Sequence, residues 1–202
     1  MRWPLAMAIA SLLVAASDRL AAQAAPDSID LRNDCRRARQ LLETGRAGPH
    51  RVEALSLIPL CGPDAVPALL SVWSAPPTTR SELEILVTST RALVTQHLVQ
   101  TLLTTLQRTD LTSVQRLAGM LVLVTYADST VAPNFDVFLA PRDTVLATHY
   151  GHVDHPFIPI MQDALPVPVR DQLTPVLEEL AEGDPDPIIR TAAEVVLRSL
   201  RY

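Results

Sequence analysis

The sequence predicts an all-α fold, and three observations support this prediction. Apolar residues recur at spacings of three and four along most of the chain, which places them on one face of a helix. Proline and glycine separate these stretches at positions where helices start and stop. Residues 184–200 combine a turn, a helix start, an arginine and two adjacent alanines, and this order recurs more weakly upstream. The chain is therefore predicted to be a series of helices with an internal repeat.

Composition limits the classes of function. The 202 residues are 48% hydrophobic and 19% charged, which suits one folded domain and not a disordered chain. The formal charge of -5 leaves no basic footprint for nucleic acid, and all 17 basic residues are arginines, without clustering of the sort that a charged ligand would need. The sequence has no G-x-S-x-G motif, no glycine-rich phosphate loop and no nucleotide fingerprint. We therefore predict a protein that is not an enzyme and does not bind nucleic acid.

The N-terminus has the pattern of an export signal. Arg2 precedes an apolar run at residues 5–16, which is too short to span a bilayer, and Ala22 and Ala24 supply a small-residue cleavage site. The alternative, an amphipathic first helix, is disfavoured because this run has no polar face. We predict a signal peptide over residues 1–24 and a mature domain over 25–202. The mature protein would be periplasmic or extracellular, without a membrane anchor.

The first half of the mature chain divides into predicted helices. A first helix starts near Ser28, and two short helices follow over residues 49–73, with Pro63 in the first turn of the second. Residues 81–106 contain no glycine or proline. They form either a helical pair with a break at 88–91 or one long helix, and we favour the pair.

A central helix is predicted after residue 112. Its cap is either Asp110, or Thr112 with Ser113, and its side chains are apolar nearly all round up to Val124. A helix of this kind belongs in the middle of a stack, because every side of it has to be covered.

The region after this helix departs from the pattern. We expect a short helical element at 130–140 and an irregular insertion at 141–168, where five prolines interrupt regular helix. A helix resumes at 169–180, and Gly183 ends it before the last helix of the chain.

Two stretches resemble units of the HEAT-repeat family, in which paired A and B helices stack into a solenoid. The first is RVEAL at 51–55, followed by a Gly-Pro turn and AVPALL at 65–70. The second is DPDPIIRTAAEVVL at 184–197, which resembles an A helix. The resemblance implies an α-solenoid of about four to five degenerate helical pairs. It also implies a concave, protein-binding surface lined by B helices, here approximately residues 64–74, 94–108, 130–140 and 169–182.

The same resemblance assigns structural roles near the C-terminus. In the family, an aspartate caps the A helix, a proline opens its first turn, an arginine reaches a neighbouring repeat, and alanines allow close helix approach. By position these roles fall to Asp184 or Asp186, Pro187, Arg190, and Ala192 with Ala193. The spacing of Arg51, Arg116 and Arg190 gives a crude register of the repeats.

Cys35 and Cys61 are the only cysteines, and they lie 26 positions apart on adjacent predicted elements. In an oxidising compartment a disulfide is the natural interpretation, and two buried free thiols are the alternative. A disulfide would hold the first helix against the first repeat.

A histidine cluster gives a second functional hypothesis. His149, His152 and His155 lie with Asp154 within seven residues of the predicted insertion. Imidazole and carboxylate suit zinc, copper or nickel, although the spacing matches no H-E-x-x-H helix. A metal-binding protein or a metal-dependent enzyme centred on this loop is therefore the alternative to a solvated loop without ligands.

Together, these features predict an exported binding or scaffolding module with a protein partner and no resident cofactor. A purely structural component of a larger envelope assembly is a further possibility that the sequence leaves open.

Overall fold

The computed structural model describes residues 28–44, 48–128, 131–132, 151–152, 160–161 and 165–200. Most of these residues are helical, which confirms the all-α prediction. The predicted signal peptide and most of the predicted insertion lie outside the described residues.

The described residues form eight α-helices, one 3-10 helix and four two-residue strands. The α-helices are α1 (Ser28–Glu43), α2 (Pro49–Leu57), α3 (Val66–Ser74), α4 (Arg80–Arg91), α5 (Gln96–Gln107), α6 (Ser113–Ala127), α7 (Val169–Gly183) and α8 (Pro187–Leu200). The 3-10 helix, Ile58–Ala65, joins α2 to α3. The strands are β1 (Leu93–Val94), β2 (Val131–Ala132), β3 (Gly151–His152) and β4 (Ile160–Met161).

Contacts between the helices fall into two series. The even-numbered helices α2, α4, α6 and α8 pack against one another in that order, and the odd-numbered helices α1, α3, α5 and α7 do the same. The two series also pack on each other, as in α1 on α2, α5 on α6 and α7 on α8. One continuous apolar core joins both series.

Helix α6 lies at the centre of this arrangement, as its sequence predicted. It packs on α4, α5, α7 and α8, and every residue from 115 to 125 is buried. Thr112 caps it, because Thr112 Oγ1 accepts a hydrogen bond from the backbone N–H of Gln115 at 3.4 Å. In return, Gln115 Oε1 accepts from the backbone N–H of Thr112 at 3.0 Å. This reciprocal capping box, rather than Asp110, starts the helix.

Residues 80–107 form two helices and not one long helix, as the favoured alternative predicted. Helix α4 ends at Arg91, and α5 begins after Thr95, whose Oγ1 accepts a hydrogen bond from the backbone N–H of Leu98 at 3.2 Å. The break lies a few residues later than predicted, because Thr95 supplies the cap that starts the second helix.

Tyr126 fixes the turn between α4 and α5. Its hydroxyl, on α6, is directed at the backbone carbonyl oxygens of Thr90 and Leu93. Burial raises the pKa of this phenol, so the hydroxyl stays protonated and able to donate. In the same turn, β1 pairs in parallel with β4, which connects the turn to the predicted insertion.

The prediction of a helical element at 130–140 is wrong at Val131–Ala132. These two residues form β2 and pair with β3 in antiparallel register, and residues 133–140 lie outside the described residues. The position expected for this element is taken by α7, which packs on both α5 and α6. The insertion therefore separates α6 from α7 in sequence, and the odd series continues directly from α5 to α7.

The second short helix starts later than predicted. Gly62 has a φ of 60°, which favours glycine, and it breaks the 3-10 segment. Helix α3 therefore begins at Val66 and not at Pro63. Among the described residues, Pro49–Ser74 is the one stretch long and apolar enough to cross a membrane by length and composition. It consists of three helices and contributes Trp73 to the core.

The turn before α8 distinguishes the two candidate caps. Asp186 caps the helix, since its Oδ1 accepts a hydrogen bond from the backbone N–H of Ile188 at 2.9 Å. The resemblance predicts that Arg190 reaches a neighbouring repeat, but the hydrogen bond found for it among the described residues is to the carbonyl oxygen of Asp184 in its own turn. Within the arginine register, Arg116 reaches towards the next even helix, because its guanidinium on α6 binds the Asp184 carboxylate in the turn before α8.

Polar contacts also join the starts of successive even helices. Glu82 of α4 accepts a hydrogen bond from the backbone N–H of Gly48 at 3.2 Å, just before α2. Gln115 of α6 donates to the carbonyl oxygen of Pro76, before α4, at 2.7 Å. Ser113 of α6 donates to Asp186, before α8, at 2.5 Å. These bonds fix the register between neighbouring even helices.

Gly119 allows close packing on the central helix. A Cβ atom there would lie 3.4 Å from Thr105 Cγ2 and 3.7 Å from Trp73 Cζ3, which is ordinary contact for one methyl group. We expect Gly119→Ala to raise the free energy of unfolding by up to about 1 kcal/mol, because alanine favours the helix. Gly119→Val should lower it by about 1–3 kcal/mol through overpacking. Urea unfolding followed by circular dichroism measures both; equal effects would contradict this packing.

Cys35 on α1 and Cys61 in the 3-10 helix lie at disulfide distance, with Sγ atoms 2.17 Å apart and Cα atoms 5.5 Å apart. This arrangement agrees with the predicted pair rather than with two separate thiols. Among the described side chains of α1, Ala38 and Leu42 are the buried ones. Leu41 also packs against the core, so we expect the cross-link to add to an attachment that these apolar side chains begin.

Removing the cross-link should therefore be costly. The variant with both Cys35→Ser and Cys61→Ser should lose about 2–4 kcal/mol of unfolding free energy, because a disulfide restricts the unfolded chain. Urea midpoints with and without dithiothreitol measure this. The urea midpoint of wild type with dithiothreitol should approach that of the variant, and the midpoint of the variant should not change with dithiothreitol. Equal midpoints without reductant would show that the bond does not form.

Candidate binding face

The outward side of helices α3, α5 and α7 forms one continuous surface, which we call the odd-helix face. In these three helices α3 packs on α5 and α5 packs on α7, and they occupy most of the stretches 64–74, 94–108 and 169–182. Their exposed residues recur at helical spacing opposite the buried ones. They are Pro67, Ser71 and Ser74 on α3, His97, Gln100, Thr104 and Gln107 on α5, and Arg170, Asp171, Pro175, Glu178, Glu179, Glu182 and Gly183 on α7; Arg170 donates to the carbonyl oxygen of Leu200 on α8.

The chemistry of the odd-helix face changes along the series. On α3 and α5 the exposed side chains are mostly hydroxyl and amide groups, whereas on α7 they are mostly carboxylates. The face therefore offers hydrogen-bonding groups in its middle and negative charge at its α7 side. A partner that matches it would carry polar groups opposite α5 and basic groups opposite α7.

A groove of about 360 Å³ runs between α3 and α5. Arg108 lies at its end and donates to the carbonyl oxygen of Ser74 at 2.7 Å, which joins the C-terminal ends of the two helices. Its hydrogen bond to Asp110 raises the pKa of Arg108 and lowers the pKa of Asp110, so both groups stay charged. The groove is lined by Trp73, Ser74, Gln100, Thr101, Thr104, Thr105 and Arg108.

A second groove, of about 240 Å³, lies between the C-terminal ends of α5 and α7. Gln107 donates to Glu179 across it at 3.4 Å. Nearer the N-terminal ends of the same helices, Gln172 accepts hydrogen bonds from Gln96 at 3.0 Å and from Gln100 at 2.9 Å. No local sequence pattern predicts this amide cluster, because Gln172 is more than 70 positions from both Gln96 and Gln100 in the chain.

The described part of the face holds no recognisable catalytic arrangement. Its one histidine, His97, is exposed on α5, and no group of three or more His, Cys, Asp or Glu side chains able to hold a metal occurs among the described residues. The face is suited to binding through hydrogen bonds and charge.

The predicted metal ligands lie almost entirely outside the described residues. His149, Asp154 and His155 are among the residues not described, and only the backbone of His152 is, within β3. The metal hypothesis therefore stays a prediction. Calorimetric titration of zinc into wild type and into the His149, His152 and His155 triple alanine variant tests it. If the heat of zinc binding seen with wild type is absent in the variant, the metal hypothesis is supported, and equal heats would contradict it.

Comparison with known proteins identifies no relative. No protein-family model, no curated protein and no solved structure matches this chain.

Proposed function

We propose that this protein is an exported, non-catalytic binding or scaffold module of HEAT-like helical pairs, and that it binds a protein partner through the odd-helix face. The observation that carries the proposal is the division of the helix contacts into two series. Helices stacked in this way cover one another's apolar sides and leave the outer side of each series free to bind.

The Arg116 contact supports the HEAT-like part of the proposal. Arg116 belongs to the predicted arginine register, and it reaches from α6 to Asp184, in the turn before the next even helix. The resemblance assigned an arginine this role between neighbouring repeats, although at Arg190. The bonds between the starts of the even helices also suit units that repeat along one axis.

The shape and chemistry of the odd-helix face favour a protein partner over a small molecule. Its two grooves are open and shallow, and they lie side by side across three helices. Pockets for small ligands are generally concave and mostly apolar. An extended face of hydroxyls, amides and carboxylates is better matched by the polar and basic surface of another protein.

Export is supported by the cysteine pair. Cys35 and Cys61 lie at disulfide distance, and stable disulfides belong to oxidising compartments. Together with the predicted signal peptide at 1–24, this supports a periplasmic or extracellular location.

Two matched threonines allow a test of the face. Thr104 on α5 and Thr88 on α4 are both exposed, and each donates to the carbonyl oxygen four residues earlier, at 3.0 Å and 2.8 Å. Thr104 lines the α3–α5 groove, whereas Thr88 belongs to an even helix. An arginine at either position should be tolerated by the fold, and only the one at 104 would obstruct the odd-helix face.

The experiment is cross-linking and capture from envelope extract with wild type, Thr104→Arg and Thr88→Arg. We expect a protein retained by wild type and Thr88→Arg but lost with Thr104→Arg. Its affinity for purified wild type should fall with added salt if it faces the carboxylates of α7. If nothing is captured, or both variants retain or lose the same proteins, the odd-helix face is not the binding surface.

A further inference from the structure

The α5–α7 groove, which lies between the C-terminal ends of those two helices, combines open space with an unpaired carboxylate. Its volume is about 240 Å³, and exposed Glu179 of α7 forms part of its wall. The contact found for this carboxylate is a hydrogen bond of 3.4 Å from Gln107. Among the described residues, no arginine or histidine forms an ion pair with Glu179, and no basic residue lines the groove. The groove therefore has room for a cation and a negative charge to match it.

The arginines nearest this groove are engaged elsewhere. Arg108, which directly follows α5, binds the carboxylate of Asp110. Arg116 binds the carboxylate of Asp184 from the inner side, and Arg190 donates to the backbone carbonyl oxygen of the same residue. None of these contacts involves the exposed carboxylate of the groove, so that carboxylate stays available to a partner.

The hydroxyl groups of the adjoining α3–α5 groove can accept hydrogen bonds but have no proton left to donate. Ser74 donates to the carbonyl oxygen of Leu70 at 2.9 Å, and Thr104 donates to that of Gln100 at 3.0 Å. A hydroxyl carries a single proton, and its remaining lone pair can only accept. With the carboxylates of α7 alongside, this part of the odd-helix face is matched by a partner that supplies N–H donors and positive charge.

We propose that the α5–α7 groove takes an arginine side chain of the protein partner, with its guanidinium on the Glu179 carboxylate. A planar guanidinium offers paired N–H donors that fit a carboxylate, whereas a lysine ammonium offers a point charge. Leu180 and Pro185 line the same groove and would cover the aliphatic part of the arginine side chain. This inference rests on the proposed function, because it names the chemical group that the partner places on the odd-helix face.

The test is a nuclear magnetic resonance titration of the full chain with a blocked pentapeptide that carries a central arginine between glycine and serine residues. The side-chain amide resonance of Gln107, assigned with Gln107→Ala, should move and saturate. A peptide with citrulline in place of arginine is the control, because citrulline keeps nearly the same shape without the charge, and it should leave the resonance in place.

Two matched variants locate the contact. Glu179→Gln should weaken binding of the arginine peptide by about two- to fivefold, which is the range for an exposed ion pair. Glu178→Gln removes the neighbouring exposed carboxylate, which does not line the groove, and should weaken binding clearly less. Both side chains are exposed, so both variants should fold as wild type does.

An unmoved resonance, equal losses in the two variants, or equal binding of the arginine and citrulline peptides would overturn the site. Tighter binding of the corresponding lysine peptide would overturn its assignment to a guanidinium. If Thr104→Arg abolishes capture from envelope extract but the groove does not bind the arginine peptide, the proposed function stands and this inference falls. If the peptide binds but no captured protein depends on position 104, the groove is a guanidinium site and the proposed function falls.

Discussion

Arg116→Met is expected to lower the free energy of unfolding at pH 7 by about 3–5 kcal/mol, because it leaves the buried Asp184 carboxylate without its counter-charge. The side chains of both residues are almost fully buried, at 2% and 3% exposure. Methionine keeps much of the length of the arginine side chain, so the loss should come mainly from the unpaired charge. Urea unfolding followed by circular dichroism measures the difference.

The pH dependence separates this charge effect from lost packing. Burial alone would raise the pKa of Asp184, but hydrogen bonds from Arg116 and from the backbone N–H of Asp186 outweigh it and hold that pKa below 3.8. A depressed folded pKa means that the carboxylate stabilises wild type above pH 3.8, and that this contribution is lost as pH falls through the folded pKa. Without Arg116, burial should raise the pKa of Asp184, and protonation should then relieve the variant.

The difference in unfolding free energy between wild type and Arg116→Met should therefore shrink as pH falls from 7 towards 4. Trp73→Phe changes packing and removes no charge, so its unfolding free energy should differ from that of wild type by the same amount across this range. If the Arg116→Met difference is equally independent of pH, the Asp184 carboxylate does not have the role assigned to it here.

The sequence pattern does not predict this ion pair. It places Arg116 in the arginine register and Asp184 among the possible caps, but it does not indicate that the two are partners. They are 68 positions apart, and no local pattern joins residues at that distance. One usable signal was present, because an arginine in a helix that is apolar nearly all round has to find a buried acceptor.

Helices were predictable wherever local chemistry decides them. The Thr112 cap, the break between α4 and α5 and the burial of α6 follow from short-range patterns. The position of α7 does not follow from such patterns. It packs on α5 and α6 where a helix at 130–140 was expected, although the insertion separates it from α6 in the sequence. The same reasoning applies to the odd-helix face, whose helices were predicted but whose Gln96, Gln100 and Gln172 cluster depends on which helices become neighbours.

Trp73→Ala is the second change expected to have a large effect, and it should lower the free energy of unfolding by about 3–5 kcal/mol. Trp73 is the largest fully buried side chain among the described residues. Its indole Nε1 donates to Thr90 Oγ1 at 2.9 Å, and Thr90 Oγ1 donates to the carbonyl oxygen of Leu86 at 2.7 Å. The ring therefore joins α3 to α4 and also packs beside Gly119 of α6.

A double-mutant cycle isolates the hydrogen bond from the packing. Thr90→Val keeps the shape of the side chain but leaves the buried indole N–H without an acceptor, which should cost about 1–3 kcal/mol. In a Trp73→Phe background the same change should cost much less, because no indole N–H remains to be satisfied. Urea unfolding of wild type, both single variants and the double variant gives the coupling energy. Strictly additive losses would mean that the bond between Trp73 and Thr90 adds nothing, and that the tryptophan stabilises the core by packing alone.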